Sequence, residues 1–264
     1  MSKWLNAAKQ FEEGCDSSDY FEVQSALGAT EKIKSLLEGT FPQLLFLLGE
    51  PGSGKSFLMH HFKNIWANER DILLLETPFL TPLDLLKTLL LHKGIRCLSD
   101  DIEYYRVQAT QLYKNTTHLI MIDEAQLLSP EMKEFIRILA DSKAFWFLLA
   151  MHKSEGESIL RTPHFKSRPH HTIMLKPISA MECKNYVQRE LMRMEFSEIA
   201  EEMNLKLITQ MHKLSHGNFR NFKKILYHFF HLLHYTNTHN RTKYLRPSSC
   251  MVTMAAMSAE LLDD

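Results

Sequence analysis

Over its first two thirds the chain alternates short apolar runs with longer amphipathic stretches. Five runs read as strands: Leu44–Leu48, Ile72–Leu75, Leu119–Ile122, Ala144–Ala150 and Thr172–Leu175. They are continuous rather than alternating, which fits strands buried on both faces of a parallel sheet. Helical stretches separate them: near 23–38, from Phe57 through Phe62, from Thr81-Pro82 to Leu91, over 101–114, and from Pro130 to Ala140. Proline stands in the first turn of two of these, where its missing N–H is no loss. Strands alternating with helices predict a parallel sheet with right-handed crossovers. After Pro177 the strand signal stops, and three helices follow near 179–195, 198–213 and 218–235. Residues 236–247 read as loop, and Ser248–Leu262 as a last helix rich in Met and Ala. At the other end Trp4, Leu5, Ala8 and Phe11 recur at helical spacing within residues 3–13. That helix either packs on the domain or docks a partner. Asp16–Asp19 is a polar break before Tyr20-Phe21.

The first strand runs into Gly49-Glu50-Pro51-Gly52-Ser53-Gly54-Lys55-Ser56, and Phe57 opens the helix beyond. This is G-x-x-x-x-G-K-S/T between a strand and a helix, the Walker A phosphate-binding loop. Gly52 and Gly54 lack a Cβ, so the backbone can curl with positive φ and turn its N–H groups on an anion. The helix dipole adds favourable potential at the same point. Lys55 supplies a charge for the β- and γ-phosphates of ATP, and Ser56 a hydroxyl for Mg²⁺, a hard cation that prefers oxygen. Gly49 through Phe57 form the expected nucleotide-binding segment, and the Tyr20-Phe21 pair either packs in the core or lies against the base.

The third strand ends in Ile122-Asp123-Glu124. Two carboxylates at the C-terminal end of a buried strand stand where open α/β sheets bind ligands. Asp123 is the second candidate Mg²⁺ ligand. Glu124 is the candidate general base for the attacking water, the two together making a Walker B element.

Composition narrows the picture. The 264 residues are 45% hydrophobic and 23% charged, with a formal net charge of zero, so no global basic field draws the protein to nucleic acid. The cysteines, Cys15, Cys97, Cys183 and Cys250, form no C-x-x-C pair and fit the reduced thiols of a cytoplasmic protein. No apolar run approaches the roughly 18 residues of a transmembrane segment, and the N-terminus lacks a signal-peptide pattern. His228, His231 and His234 share one side of a late helix, which reads as a partly solvated face.

With these motifs the chain resembles the AAA+ ATPases, in the branch that holds general secretion pathway protein A ATPases, transposition ATPases and origin-recognition ATPases. The phrases that carry the resemblance are Asp123-Glu124-Ala125-Gln126-Leu127-Leu128-Ser129-Pro130-Glu131, the sensor strand Phe145–Ala150, the junction Met174–Ser179 and the sensor 2 phrase Gly217-Asn218-Phe219-Arg220. The resemblance covers residues 20–235. It implies an α/β fold, a three-layer P-loop sandwich with a parallel five-stranded sheet, followed by a small all-helical lid. The implied division is 1–19 as an amphipathic extension, 20–177 as the ATPase core, 178–235 as the lid, and 236–264 as a C-terminal loop and last helix.

The resemblance also implies roles for arginines. Arg220 would reach the γ-phosphate from the lid, and Arg168 would act as an arginine finger in a neighbour's site, with Arg161 the weaker alternative. Such a finger acts in trans, so ATP would promote a homo-oligomer, a ring or a filament. One departure stands out: the sensor 1 position, usually polar, reads Ala150-Met151-His152 here. Either His152 substitutes or the sensor is weak, which bears on turnover more than on ATP binding. Two further partners stay open. Duplex DNA would need a basic strip, with Lys63, Lys184, Arg189, Arg193, Lys223 and Lys224 as candidates. A protein client, as in a secretion or envelope machine, is the alternative, and an ATP-binding scaffold of low turnover is a third.

Overall fold

The structure, a computed structural model, describes residues 3–12, 21–39, 43–77, 81–166, 169–239 and 244–262. The chain divides into two compact units. A sheet unit comprises Gln24–Glu50 and Gly54–Leu175, and a helical unit comprises Met1–Val23, Pro51–Ser53 and Lys176–Asp264.

In the sheet unit the strands are β1 (Leu44–Gly49), β2 (Asp71–Leu75), β3 (His118–Ile122), β4 (Phe147–His152) and β5 (His170–Leu175). They pair in the order β2-β3-β4-β1-β5, and every pairing is parallel. Parallel strands need crossovers, and helices supply them: α3 (Lys55–Ile65), α4 (Pro82–His92), α5 (Ile102–Tyr113), α6 (Pro130–Asp141), α7 (Lys153–Leu160) and α8 (Pro163–Lys166), with α2 (Gln24–Leu37) ahead of β1. Leu44, Phe46, Leu48, Ile120, Ile122, Phe147 and Leu149 share one core with the buried leucines of α4, Tyr105 and Tyr113 of α5, and Met132 and Ile136 of α6. The alternate residues Leu45, Leu47, Leu119, Met121, Leu148 and Ala150 are just as buried. Successive side chains of a strand point to opposite faces, so the sheet is covered on both, and the unit has three layers.

Local chemistry sets the element ends. Thr81 caps α4 by accepting from the Asp84 N–H at 3.2 Å, and Ser129 caps α6 by accepting from Met132 at 3.1 Å. His118, at the start of β3, is fully buried. Its Nε2 accepts the Trp146 N–H at 3.1 Å and its Nδ1 lies 3.1 Å from the Thr116 carbonyl. Burial pushes this imidazole down to about 4, so it stays neutral, protonated on Nδ1.

The helical unit contains α1 (Lys3–Gln10), α9 (Ala180–Arg193), α10 (Ser197–Glu202), α11 (Leu205–Leu214), α12 (Phe219–Thr238) and α13 (Ser249–Ser258). Aromatic rings pack among the aliphatic side chains of its core. Phe11 stacks on Phe230 at 5.5 Å and meets Tyr186 edge-on at 5.9 Å. Phe21 also packs on Tyr186, under the Arg189 guanidinium. The N-terminal helix thus packs rather than projecting, and Gln10 donates to the buried Glu190 at 2.8 Å.

Several elements differ from the sequence reading. The helix expected over 198–213 is two, α10 and α11, because the Asn204 side chain accepts from Leu207 and starts a new helix. Expected at 144–150, β4 runs over Phe147–His152 and so carries its polar end two residues further. Helices α7 and α8 carry no apolar periodicity; in α7 the buried residue is Gly156, and a Cβ there would come 2.4 Å from Leu48. Cys15, Tyr20, the break at 16–19 and Arg168 lie outside the described residues. Among the described residues no helix is long and apolar enough to cross a membrane, and no group of His, Cys, Asp or Glu could hold a metal by itself.

Candidate functional site

The phosphate loop begins where β1 ends, at Gly49, and closes where α3 begins, at Lys55. Gly52 and Gly54 take φ of 71° and 90°, the left-handed region in which glycine carries no steric penalty. Around the position a Cβ would take on Gly54 no atom of the described residues lies within 4 Å, so the loop is open there. Lys55 is 6% exposed, and its ammonium donates to the main-chain carbonyls of Gly49 at 2.9 Å and Glu50 at 3.1 Å. Burial lowers its pKa, and the carboxylates of Glu124, Asp123, Glu50 and Glu155 oppose that shift. A buried cation held by neutral carbonyls favours an arriving anion. Ser53 Oγ is buried with no hydrogen-bond partner among the described residues, and Ser56 and Phe57 are half-buried. A cradle of left-handed glycines, an orphaned hydroxyl and a buried ammonium fit a polyphosphate.

The carboxylates sit at the end of β3. Asp123 is 7% exposed, and its N–H donates to Leu75 O at 2.9 Å, extending the ladder one residue past the strand. Glu124 then adopts φ 48°, ψ 36° and its N–H donates to Asp123 Oδ1 at 2.8 Å. The chain reverses into a 3-10 turn, Ala125–Leu127. The Gln126 amide donates to Glu124 Oε2, and Lys133 Nζ donates to the Gln126 carbonyl at 3.0 Å. The Lys133 pKa is pushed down by burial, and Gln126 Oε1 is buried without a partner among the described residues.

Sheet order joins these two ends. β4 lies between β3 and β1, and His152 pairs in register with Gly49. His152 Nε2 stands 3.8 Å from Glu124 Oε2, and its Nδ1 3.8 Å from Glu155 Oε1. Met151 is buried, so of the three sensor-position residues it is His152 that faces the carboxylates. The histidine at that position was legible in sequence; its approach to Glu124 needed the strand order, and the Gln126 clamp needed the 3-10 turn after Glu124.

Arg220 is exposed at the second position of α12. Arg161 caps the C-terminus of α7, is 82% exposed, and lies 3.7 Å from Glu157. Of the basic candidates, Lys63 belongs to the sheet unit and the other five to the helical unit. Arg189 and Arg193 lie 2.6 and 3.6 Å from buried Glu190 Oε1, which accounts for both structurally.

A Walker A loop, a Walker B carboxylate pair and a parallel sheet of this order define a P-loop NTPase domain of the AAA+ class. Residues 41–160 match the family model described as an AAA domain. The structure of Drosophila ORC bound to DNA resembles the chain with a TM-score of 0.66 at 12% identity, over 96% of this chain and 65% of that one. Cdc6p from Pyrobaculum aerophilum gives 0.60 at 12% identity, over 87% of this chain and 66% of that one. Aeropyrum pernix ORC1 in complex with DNA gives 0.58 at 14% identity, over 92% and 66%. The chain spans just under two thirds of the length of these three. At such identities the likeness is one of fold. No curated protein matches the sequence.

Proposed function

We propose that the chain binds ATP with Mg²⁺ and hydrolyses it at a subunit interface, working as an ATP-dependent oligomeric switch on DNA. The observation that carries the first half is the phosphate loop: an open left-handed glycine cradle around a buried Lys55 held by main-chain carbonyls. In this reading the loop N–H groups and Lys55 bind and orient the phosphates. Ser56 and Asp123 hold Mg²⁺, which neutralises developing charge on the phosphoryl oxygens when bound. Glu124 accepts the proton of the attacking water, with its carboxylate fixed by Gln126 and faced by His152. Arg220 adds charge at the γ-phosphate, and the resemblance assigns the trans finger to Arg168.

The DNA half is supported by the structures above that were solved with DNA, which are 12% and 14% identical to this chain. The test is steady-state ATPase activity with and without duplex DNA, with particle mass read by light scattering. DNA-stimulated turnover with ATP-dependent assembly is expected; turnover and mass indifferent to DNA would overturn the DNA role. A second reading, an ATPase that acts on a protein client, has its own support. Leu91, Leu98, Ile102, Tyr104 and Val107 on and between α4 and α5 are exposed, Leu98 by 95%. Such residues suit a protein surface more than a phosphate backbone.

A further inference from the structure

The phrase Gly217-Asn218-Phe219-Arg220 drew attention for its arginine, yet the residue with an unusual set of bonds is Asn218. Its backbone is fixed. The chain leaves α11 through His216 and Gly217, with φ of 54° and 69°. Gly217 N–H donates to His212 O at 3.1 Å, and Asn218 N–H donates to Ser215 O at 2.9 Å. His212 Nε2 in turn lies 2.8 Å from the Ile178 carbonyl.

The side chain is fixed at both ends. Asn218 Oδ1 accepts the Asn221 N–H at 3.2 Å and so caps α12. An oxygen engaged by a donor settles which way the amide points, which leaves Nδ2 for the other side. There Nδ2 donates to the carbonyl of Pro51, in the phosphate loop, at 2.9 Å. Pro51–Ser53 cluster in one compact unit with α12. The approach is close: a Cβ on Gly52 would lie 2.0 Å from Asn218 Oδ1 and 2.5 Å from its Cγ. Gly52 therefore serves a second purpose besides its positive φ, since a side chain there would expel an amide that bonds hold in place.

A peptide group is planar and trans, so its C=O and N–H point in opposite directions. Anchoring Pro51 O on Asn218 fixes that plane and turns the Gly52 N–H away from Asn218. We propose that Asn218 is a positioning residue for nucleotide: it sets the Pro51–Gly52 peptide so that the Gly52 N–H is ready for a phosphate oxygen before the nucleotide arrives. This rests on the nucleotide-binding reading of the loop. Its physical basis is preorganisation, which strengthens binding without adding a contact to the ligand.

Two variants separate this role from helix capping. Asn218→Ser and Asn218→Asp both keep an oxygen able to cap α12; the aspartate carboxylate has no proton to give Pro51 O, and the serine hydroxyl ends one bond short of the Nδ2 position while adding no charge near the phosphates. The full chain carries the test, with three readouts: amide hydrogen exchange over Gly49–Ser56 without nucleotide, the Kd for ATP, and kcat at saturation. For both variants we expect exchange several-fold faster, ATP binding weaker by roughly fivefold to tenfold, kcat nearly unchanged, and an unaltered melting temperature. Parental exchange and Kd in both variants would overturn the proposal, as would weakened binding in Asn218→Asp alone, which is charge repulsion. A parent that fails to bind ATP sinks the nucleotide reading itself, while the exchange measurement still decides whether Asn218 holds the loop.

Discussion

At the end of β1 the left-handed positions are Gly52 and Gly54; at the end of β3 the left-handed position is Glu124. Both turns follow a fully buried strand of the same parallel sheet. The first is a backbone device, in which side chains are removed so that N–H groups can converge. The second is a side-chain device, in which a residue with a Cβ tolerates an unfavourable φ because its neighbours hold it: Asp123 Oδ1 takes its N–H, and Gln126 takes its carboxylate. Such strain, on the order of 1 kcal/mol or more, persists where surroundings over-determine a residue, commonly at functional sites. A backbone device is written in one contiguous stretch of sequence. The side-chain device is completed from another strand, where His152 of β4 faces Glu124.

The largest expected effect breaks the first device. Lys55→Ala removes the charge the cradle surrounds, and ATP binding measured by titration calorimetry should weaken by at least about a hundredfold. Next, Glu124→Gln breaks the second device alone. It should leave the Kd for ATP within about threefold, lower kcat by about 10² or more, and trap the ATP-bound oligomer, read by light scattering.

Gly52→Ala and Gly54→Ala sharpen the backbone side. Both force alanine to positive φ, at roughly 1–2 kcal/mol each. Only the first also meets Asn218, whereas the space beside Gly54 is open. Urea unfolding should therefore show Gly52→Ala as the more destabilising, and equal losses would contradict the fixed position of Asn218.

A smaller effect concerns the anchoring of β3. The His118 imidazole is held near 4 in the folded chain against 6.5 for a free histidine. Because the folded value is the lower, the unfolded chain binds the extra proton between these values, and stability falls as pH drops from about 6.5 to about 4. Between pH 7.5 and 5 this single group should remove about 2 kcal/mol. In His118→Phe the pH-dependent part of the urea-derived stability should shrink by that amount, whatever the absolute loss from leaving the Trp146 N–H unpaired.

The same contrast explains what the sequence disclosed. The strands were legible as apolar runs, and the phosphate loop as spacing between a strand and a helix, because both are local. Asp123 and Glu124 were legible from their place at a strand end. The 3.8 Å approach of His152 to Glu124 was not, since it depends on β4 lying between β3 and β1. Nor was the bond from Asn218 to Pro51, which joins residues 167 positions apart. Helix α7 escaped notice because it packs through a glycine, and the α10–α11 break because Asn204 looks like an ordinary polar position until its side chain caps a helix.

The most direct test of the central claim is single-turnover ATP hydrolysis by the parent chain and Glu124→Gln, with Kd measured on the same samples. The parent should bind and hydrolyse ATP, and the variant should bind it equally well yet turn over at about one hundredth of the rate or less. Hydrolysis by Glu124→Gln at the parental rate would contradict the assignment of the two strand ends as binding and catalytic halves of one site.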